Sequence, residues 1–337
     1  MEVRLSQHKL KLRHRFTISR ESHETQDTLI VHLSQDKETG YGETTSNPYY
    51  GHTVKNLMEE IEAIRGEIEN YTLSKPEDFH LWLSNKNLSR FALCALDLAA
   101  HDLYGKLQNR PLHKLWNTTL DNYPTTNYTL GIDTIENMVA KMKEMPWPIY
   151  KIKLGTSEDL DIVRELREHS NAVFRIDANG AWTAAQTIAI SPELKKLGVE
   201  FIEQPLKADD WSGMEQVVHH SVLPVIADES CLVEEDVERC ALHFNGINIK
   251  LTKCGGLTPA LRMIKKGRQL GLKIMVGCMT ESTVGISAIG QLLPQLDYVD
   301  MDGPLLISND IARGIEINKD ATITFPSLGG SGIRLIK

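Results

Sequence analysis

Acidic and basic side chains recur at regular intervals through the middle of this 337-residue chain. Each follows a short apolar stretch, and successive groups stand roughly 25 residues apart, which is about one strand plus one helix. The series comprises Lys151 with Lys153, then Asp177, Glu203, Asp228 and Lys250. Converging carboxylates repel one another unless a cation lies among them, and ligands made only of oxygen favour Mg²⁺ or Mn²⁺ over zinc. The spacing therefore predicts a divalent-metal site flanked by lysines.

Two of the lysines belong to one apolar stretch. Lys151 and Lys153 alternate with Tyr150, Ile152 and Leu154, and residues two apart on a strand share a face. We therefore expect both lysines on one side of the strand and the apolar residues on the other. A buried lysine is rare unless it is paired. The structural alternative to an active site is therefore a cluster of buried salt bridges that has no catalytic role.

The same argument separates Lys250 from Lys253. Lys250 alternates with Ile249 and Leu251, whereas Lys253 shares the parity of these two apolar residues. Because side chains of opposite parity point to opposite faces of a strand, Lys250 is the predicted site residue. Lys253 ranks below it.

Eight apolar stretches alternate with segments of helical spacing after about residue 125. They are 127–130, 150–154, 173–177, 199–203, 224–228, 246–251, 273–276 and 298–300. Such alternation is typical of βαβ units in a parallel sheet, and eight strands favour a closed, TIM-like α/β barrel. An open doubly wound sheet is the alternative, although no G-x-G-x-x-G follows the first strand. Barrel enzymes carry their chemistry at the carboxyl ends of the strands, where the charged side chains lie.

The N-terminal third has a different, mixed α+β pattern. It is predicted to contain strands at 4–12 and 28–33, a polar loop at 17–27, and helices at 54–68 and 89–104. We therefore expect an α+β domain over 1–120 and a barrel over 121–315. Residues 316–337 are expected to pack back on the N-terminal domain.

Charge and apolar content exclude several classes of function. The 37 Lys and Arg against 45 Asp and Glu give a net charge of −8, whereas nucleic-acid binders are typically basic. The apolar run 91–96 is far shorter than the roughly 20 residues of a membrane span. The five cysteines contain no C-x-x-C pair, which fits a reducing compartment. We expect a cytoplasmic homo-oligomer acting on a small molecule, without nucleic-acid or membrane partners.

The combined motifs resemble those of the enolase superfamily, muconate-lactonizing subgroup. The matching segments are Lys151-x-Lys153, Asp177-Ala178-Asn179, Glu203-Gln204-Pro205, Asp228-Glu229-Ser230 and Asn248-Ile249-Lys250 followed by Gly255-Gly256. The resemblance covers nearly the whole chain. It implies a (β/α)7β, TIM-like barrel with an N-terminal α+β capping domain that the C-terminal tail completes. It also implies one Mg²⁺ per subunit, or Mn²⁺ instead, held by Asp177, Glu203 and Asp228.

Further segments are similar to those of dipeptide epimerases, of the L-Ala-D/L-Glu epimerase type. Asp300 and Asp302 match a D-x-D pair that holds the free ammonium of the substrate in that type. The run Cys278-Met279-Thr280 is similar to the segment whose backbone meets the dipeptide there. Thr129 matches a substrate-contacting threonine, and Arg20 resembles an arginine that pairs with a glutamate side chain. The second residue of the dipeptide is left open between glutamate and an apolar residue.

The resemblance implies reversible proton abstraction beside a carboxylate. Lys153 and Lys250 would address opposite faces of the α-carbon of the C-terminal residue, one removing a proton and the other returning it, through an enediolate. Lys151 would add a positive charge beside the metal. Two carboxylates on one face, Asp300 and Asp302, suit an ammonium and disfavour an anionic succinyl group.

Other functions remain open at this level. Within the superfamily they are o-succinylbenzoate synthase, N-succinylamino acid racemase and cycloisomerase. Outside it, a Schiff-base lyase would use barrel lysines without a metal, and a metal-stabilised scaffold would have no activity. For Asp300 and Asp302 the alternative is a cap on the turn into Gly303-Pro304.

Overall fold

An antiparallel sheet with a helical layer forms the N-terminal part of the computed structural model, which describes residues 1–18 and 21–336. The strands are β1 (Glu2–Thr17), β2 (Ser22–Gln35) and β3 (Glu38–Thr45), in that order. A 3₁₀ turn, Pro48–Tyr50, leads to α1 (Val54–Ala63), α2 (Arg65–Glu69), α3 (Pro76–Ser84), α4 (Arg90–Leu107) and α5 (Leu112–Leu115). Leu29, Val31 and Leu33 of β2 pack on these helices and form one hydrophobic core.

The predicted loop at 17–27 is wrong for most of its length. β1 ends at Thr17 and β2 begins at Ser22, and these two residues are paired across the hairpin. Residues 22–27 of β2 are all polar or charged and none is buried, so this part of the strand lacks the apolar alternation from which strands are predicted. Ser19 and Arg20 lie outside the described residues.

Eight parallel strands form the barrel, and each lies within about one residue of its predicted position. They are β4 (Tyr128–Leu130), β5 (Ile149–Lys153), β6 (Val173–Asp177), β7 (Val199–Glu203), β8 (Val225–Ala227), β9 (Gly246–Lys250), β10 (Lys273–Gly277) and β11 (Tyr298–Asp300). Neighbours in the chain are neighbours in the sheet, and a parallel bridge between Thr126 and Val299 brings the first strand back beside the last. The barrel prediction is confirmed.

Helices connect the successive strands in (β/α)7β order. They are α6 (Ile135–Glu144), α7 (Asp159–His169), α8 (Ala184–Lys196), α9 (Trp211–His220), α10 (Asp236–His243), α11 (Leu251–Cys254), α12 (Leu257–Gln269) and α13 (Thr283–Gly290), with a 3₁₀ turn at Leu293–Gln295 and α14 (Gly303–Leu306) after the last strand. The side chains of Thr134, Thr183 and Ser282 accept backbone N–H groups in the first turns of α6, α8 and α13, as N-caps do. In the part of the chain that the structure describes, no helix is both long and apolar enough to span a bilayer.

Alternation along β5 separates the barrel interior from its outer layer. Tyr150 and Ile152 belong to the hydrophobic core shared with the surrounding helices, whereas Lys151 and Lys153 are buried on the opposite face. A separate apolar cluster contains Phe201, Ile226 and Met275, whose parity places them inside the barrel. This cluster closes the interior beneath the lysines, so that polar groups gather at the carboxyl end.

The C-terminal tail forms two small antiparallel strand pairs, the second lying within the loop of the first. Its strands are β12 (Ala312–Arg313), β13 (Glu316–Ile317), β14 (Ile323–Thr324) and β15 (Arg334–Leu335), with β12 paired to β15 and β13 to β14. Ser331 N donates to Asp102 Oδ1 of α4 at 2.8 Å, so the tail contacts the N-terminal helices. The division of the chain at residues 120 and 315 stays a prediction.

Asp97 connects the N-terminal helices to the barrel. This fully buried carboxylate of α4 accepts Thr258 N at 2.9 Å and Thr258 Oγ1 at 2.7 Å, in the first turn of α12. His80 Nδ1 lies 3.0 Å from the same group. Gly256, with φ of 121°, packs directly on Asp97, and a Cβ there would collide with Oδ2. The segment that follows the Lys250 strand is therefore anchored to α4.

We expect Asp97→Ala to lower the free energy of unfolding by about 3–5 kcal/mol, because it leaves the buried donors of Thr258 and His80 without an acceptor. Unfolding in urea, followed by circular dichroism, measures the change. The exposed Asp209 supplies the matched control, Asp209→Ala, with a change of about 0.5 kcal/mol or less. Equal stability of the two variants would contradict the anchoring role.

Candidate active site

Strand register brings the charged side chains to a common rim. Lys153 of β5 pairs in register with Asp177 of β6, and Asp177 with Glu203 of β7. On the other side of the barrel, Lys250 of β9 and Asp300 of β11 occupy equivalent positions beside the strand between them. Because all the strands are parallel, these groups meet at the carboxyl end, as predicted for the site.

Three buried carboxylates form the candidate metal centre. Asp177, Glu203 and Asp228 each offer an oxygen, and these oxygens lie within 4.8 Å of one another. Burial and the neighbouring Asp177 raise the pKa of Glu203 to about 7. Within the described chain, Glu203 Oε2 accepts no hydrogen bond of good geometry, although Lys151 Nζ stands 2.8 Å away. A compact set of carboxylate oxygens with an unsatisfied acceptor fits a hard divalent cation such as Mg²⁺.

Lys151 lies between the metal-centre acids and the last strand. Its Nζ is 3.1 Å from Asp177 Oδ2, 2.8 Å from Glu203 Oε2 and 3.0 Å from Asp300 Oδ2. Burial by itself would lower the pKa of Lys151. The negative charges of Asp300 and Glu203 raise it by more, so that the pKa lies well above its usual range. A permanently charged ammonium suits electrostatic stabilisation and not proton abstraction.

Lys153 and Lys250 reach the site from opposite sides. Their strands, β5 and β9, are separated by three strands in either direction round the barrel. Lys153 Nζ donates to Asp177 Oδ2 at 2.6 Å, and Lys250 Nζ lies 3.5 Å from Asp228 Oδ2 and donates to Cys278 O at 3.3 Å. Burial would lower the pKa of Lys250, but the Asp228 charge raises it overall.

A cavity of about 690 Å³ lies above these groups. The barrel contributes Lys153, Lys250 and the other rim side chains, and the N-terminal hairpin contributes Phe16, His23 and Asp27. The cavity is therefore formed by both parts of the chain. Its volume lies within the range of roughly 300–1,000 Å³ that is usual for small-molecule sites.

Asp300 and Asp302 both line this cavity. Asp300 Oδ1 accepts Asn127 Nδ2 at 2.9 Å, and Asp302 Oδ2 accepts the backbone N–H of Thr129 at 2.6 Å. Burial and the charge of Asp300 raise the pKa of Asp302 to about 8. The side chain of Asp302 makes no capping hydrogen bond to α14, so the simple turn-cap alternative does not account for its position.

The segment after β10 forms another part of the cavity wall. Cys278, Met279 and Thr280 all line the cavity, as does Thr129. Met279 N donates to Glu281 Oε1 at 3.2 Å, and burial together with Glu43 raises the pKa of Glu281 to about 8. Of the predicted site residues, Arg20 lies outside the part that the structure describes.

Lys253 is a site residue that the parity argument ranked too low. Its Nζ donates to Asp228 Oδ1 at 2.7 Å, and the side chain lines the same cavity. Residues 251–254 form α11, and helical geometry replaces the two-residue alternation from that point. Its position one helical turn after Lys250 is the signal that the sequence offered.

Comparison with known proteins gives the family. The model of the mandelate racemase / muconate lactonizing enzyme N-terminal domain matches residues 1–116, and the model described as enolase C-terminal domain-like matches residues 133–336. The chain belongs to the mandelate racemase / muconate lactonizing enzyme family. The resemblance to the enolase superfamily is thereby confirmed.

Relatives within this family resemble the chain over its whole length. The "L-Ala-D/L-amino acid epimerase" of Maribacter sp. is 66% identical over 335 residues, which cover 99% of both chains. The protein of the same name from Flavobacterium johnsoniae is 57% identical over 340 residues, 100% of both chains. The solved dipeptide epimerase from Enterococcus faecalis V583, complexed with Mg and L-Leu-L-Tyr, is 30% identical with a TM-score of 0.91, over 98% of both chains. The chain is therefore an enzyme of the isomerase class.

Proposed function

We propose that this isomerase inverts the α-carbon of the C-terminal residue of a dipeptide whose first residue is L-alanine. Its similarity to the two L-Ala-D/L-amino acid epimerases supports this assignment. The observation that carries it is the placement of Lys153 and Lys250 on opposite sides of one cavity. The second residue of the dipeptide is either glutamate or an apolar residue.

Asp177, Glu203 and Asp228 would hold one Mg²⁺, with Mn²⁺ as the alternative ion. When bound, the ion would polarise the substrate carboxylate and stabilise the negative charge that develops there. The E. faecalis dipeptide epimerase is complexed with Mg, and the carboxylate cluster of this chain supplies the matching kind of ligand. Lys151, charged at neutral pH, adds positive charge beside the same acids.

The two remaining lysines would move the proton. In one direction the neutral amine of Lys153 removes it from the α-carbon, and the ammonium of Lys250 returns one to the opposite face. In the other direction the roles exchange. Inversion needs only that the two Nζ atoms face the same carbon from opposite sides, which strands β5 and β9 allow.

Asp302 and Asp300 would bind the N-terminal ammonium of the dipeptide. An isolated buried carboxylate is costly to ionise, whereas a neighbouring cation stabilises its charged form. A substrate ammonium beside Asp302 would offset the burial and the Asp300 charge that raise its pKa to about 8. An anionic N-succinyl group would meet repulsion instead.

Asp302→Asn tests this assignment. We expect kcat/KM for L-alanyl dipeptides to fall about 30- to 1,000-fold, because a buried charge pair of about 2–4 kcal/mol is lost. Activity on the N-acetylated dipeptide, which has no ammonium, should change far less. Asp209→Asn, at an exposed position, is the control. An unchanged preference between the two substrates in Asp302→Asn would remove the ammonium site from the proposal.

A library of L-Ala-L-Xaa dipeptides, incubated with the enzyme and Mg²⁺ in D₂O, tests the function as a whole. We expect deuterium to enter the α-position of the second residue of preferred members, with formation of the other epimer. N-succinylamino acids in a parallel incubation should exchange more slowly. Absence of exchange in every dipeptide would overturn the proposal.

Homo-oligomeric assembly also stays a prediction, which light scattering tests.

A further inference from the structure

Asn179 occupies a conformationally restricted position beside the proposed bases. It follows β6 by two residues, is 7% exposed and lines the cavity. Its φ of 44° lies in the left-handed region, which asparagine adopts more readily than most residues with a side chain. Its backbone N–H donates to Asp177 Oδ1 at 3.0 Å. The backbone therefore holds the Asn179 amide in a defined orientation.

The side-chain amide of Asn179 connects two strand ends. Its Oδ1 accepts a hydrogen bond from Lys153 Nζ at 3.4 Å, and its Nδ2 donates to Glu229 Oε1 at 3.3 Å. Glu229 follows β8 and is itself buried. The amide is thus anchored on one side and presents its oxygen to the lysine on the other.

Lys250 is held in a different way. Its Nζ contacts Cys278 O and the Asp228 carboxylate. Of the two proposed bases, Lys153 is the one that contacts the Asn179 amide in the described structure. A change at Asn179 should therefore affect the two proton transfers unequally.

The amide oxygen of Asn179 is suited to holding Lys153 in both of its protonation states. It accepts a hydrogen bond from a neutral amine as well as from an ammonium, so the contact can persist before and after proton transfer. The other acceptor of Lys153, Asp177 Oδ2, belongs to a carboxylate that is also a proposed metal ligand. Asn179 is the acceptor that is not itself a proposed metal ligand.

We propose that Asn179 is a positioning residue for Lys153, which holds Nζ in place for proton transfer on one face of the α-carbon. This inference rests on the proposed epimerase function. It assigns to Asn179 no contact with the reacting atoms, and it predicts an effect confined to the epimer that Lys153 deprotonates.

Exchange of the α-proton in D₂O, measured separately from each pure epimer of a preferred dipeptide, is the test. Lys153→Ala first identifies the epimer that Lys153 deprotonates. In Asn179→Gly, which keeps the left-handed backbone accessible, initial exchange of that epimer should fall roughly 10- to 100-fold, since small displacements of a base are costly. Exchange of the other epimer should change less than about 3-fold and is the internal control.

Asn179→Ala removes the same amide on a strained backbone and should show the same asymmetry. Thermal midpoints and calorimetric Mg²⁺ binding of both variants report whether the fold and the metal centre persist. Equal loss of exchange from both epimers, or no loss from either, would overturn the inference. Absence of exchange in the unmodified enzyme would instead overturn the proposed function itself.

Discussion

Lys153→Ala and Lys250→Ala will each lower the rate of epimerisation about 10²- to 10⁴-fold, the usual contribution of a positioned general acid or base. Each variant will nevertheless keep exchange of the α-proton with solvent for one epimer. Inversion needs a proton donor on the face opposite to the base, whereas exchange on a single face needs one lysine alone. The two variants should therefore keep exchange of opposite epimers.

Chiral chromatography measures epimerisation, and mass spectrometry in D₂O measures exchange. Lys265→Ala changes an exposed lysine of α12 and is the matched control, with both rates retained. Loss of exchange for both epimers in both variants would count against the two-base scheme. Retention of full epimerisation in either variant would remove that lysine from the chemistry.

Removal of the divalent ion has the second large expected effect. Chelation by EDTA should lower the epimerisation rate by on the order of 10³-fold or more, because a metal ion supplies several kcal/mol of charge stabilisation. Added Mg²⁺ should restore the rate. The ion should also raise the thermal midpoint, since it binds the folded chain among acids that otherwise repel one another.

Glu203→Gln tests the same prediction at one proposed metal ligand. We expect Mg²⁺ binding, measured by isothermal titration calorimetry, to weaken on the order of 10²-fold or more, beyond the usual effect of an outer-shell change. Glu215→Gln, at an exposed site of α9, should bind Mg²⁺ like the unmodified enzyme. Full activity in EDTA, together with trapping of substrate on a lysine by borohydride, would favour a Schiff-base lyase.

The positions of the barrel strands and of their terminal charges could be predicted because they depend on local periodicity. Lys151 and Lys153 are both buried on the inner face of β5, as their alternation with Tyr150 and Ile152 indicates. The parallel arrangement then requires strand-end groups such as Asp177 to share a rim. None of this needs knowledge of distant contacts.

Local periodicity failed where other forces set the conformation. Residues 22–27 of β2 are held by backbone pairing with β1, which continues to Ser22 and Thr17, and they carry no apolar side chain that would reveal a strand. Lys253 was misjudged because the strand ends at Lys250 and helical geometry takes over. In both places the information lies in hydrogen bonding of the backbone and not in the pattern of side chains.

The amino-acid sequence by itself determined which charged residues stand at the carboxyl ends of most barrel strands and which face they occupy, because side-chain direction follows from the repeat of the element. Only the tertiary structure decided the side-chain pairings between neighbouring strand ends, such as Asn127 with Asp300 and Lys253 with Asp228. It also decided that the Asn179 amide meets Lys153 and not Lys250. These pairings join residues far apart in the chain, and their distances depend on how eight strands close around one axis.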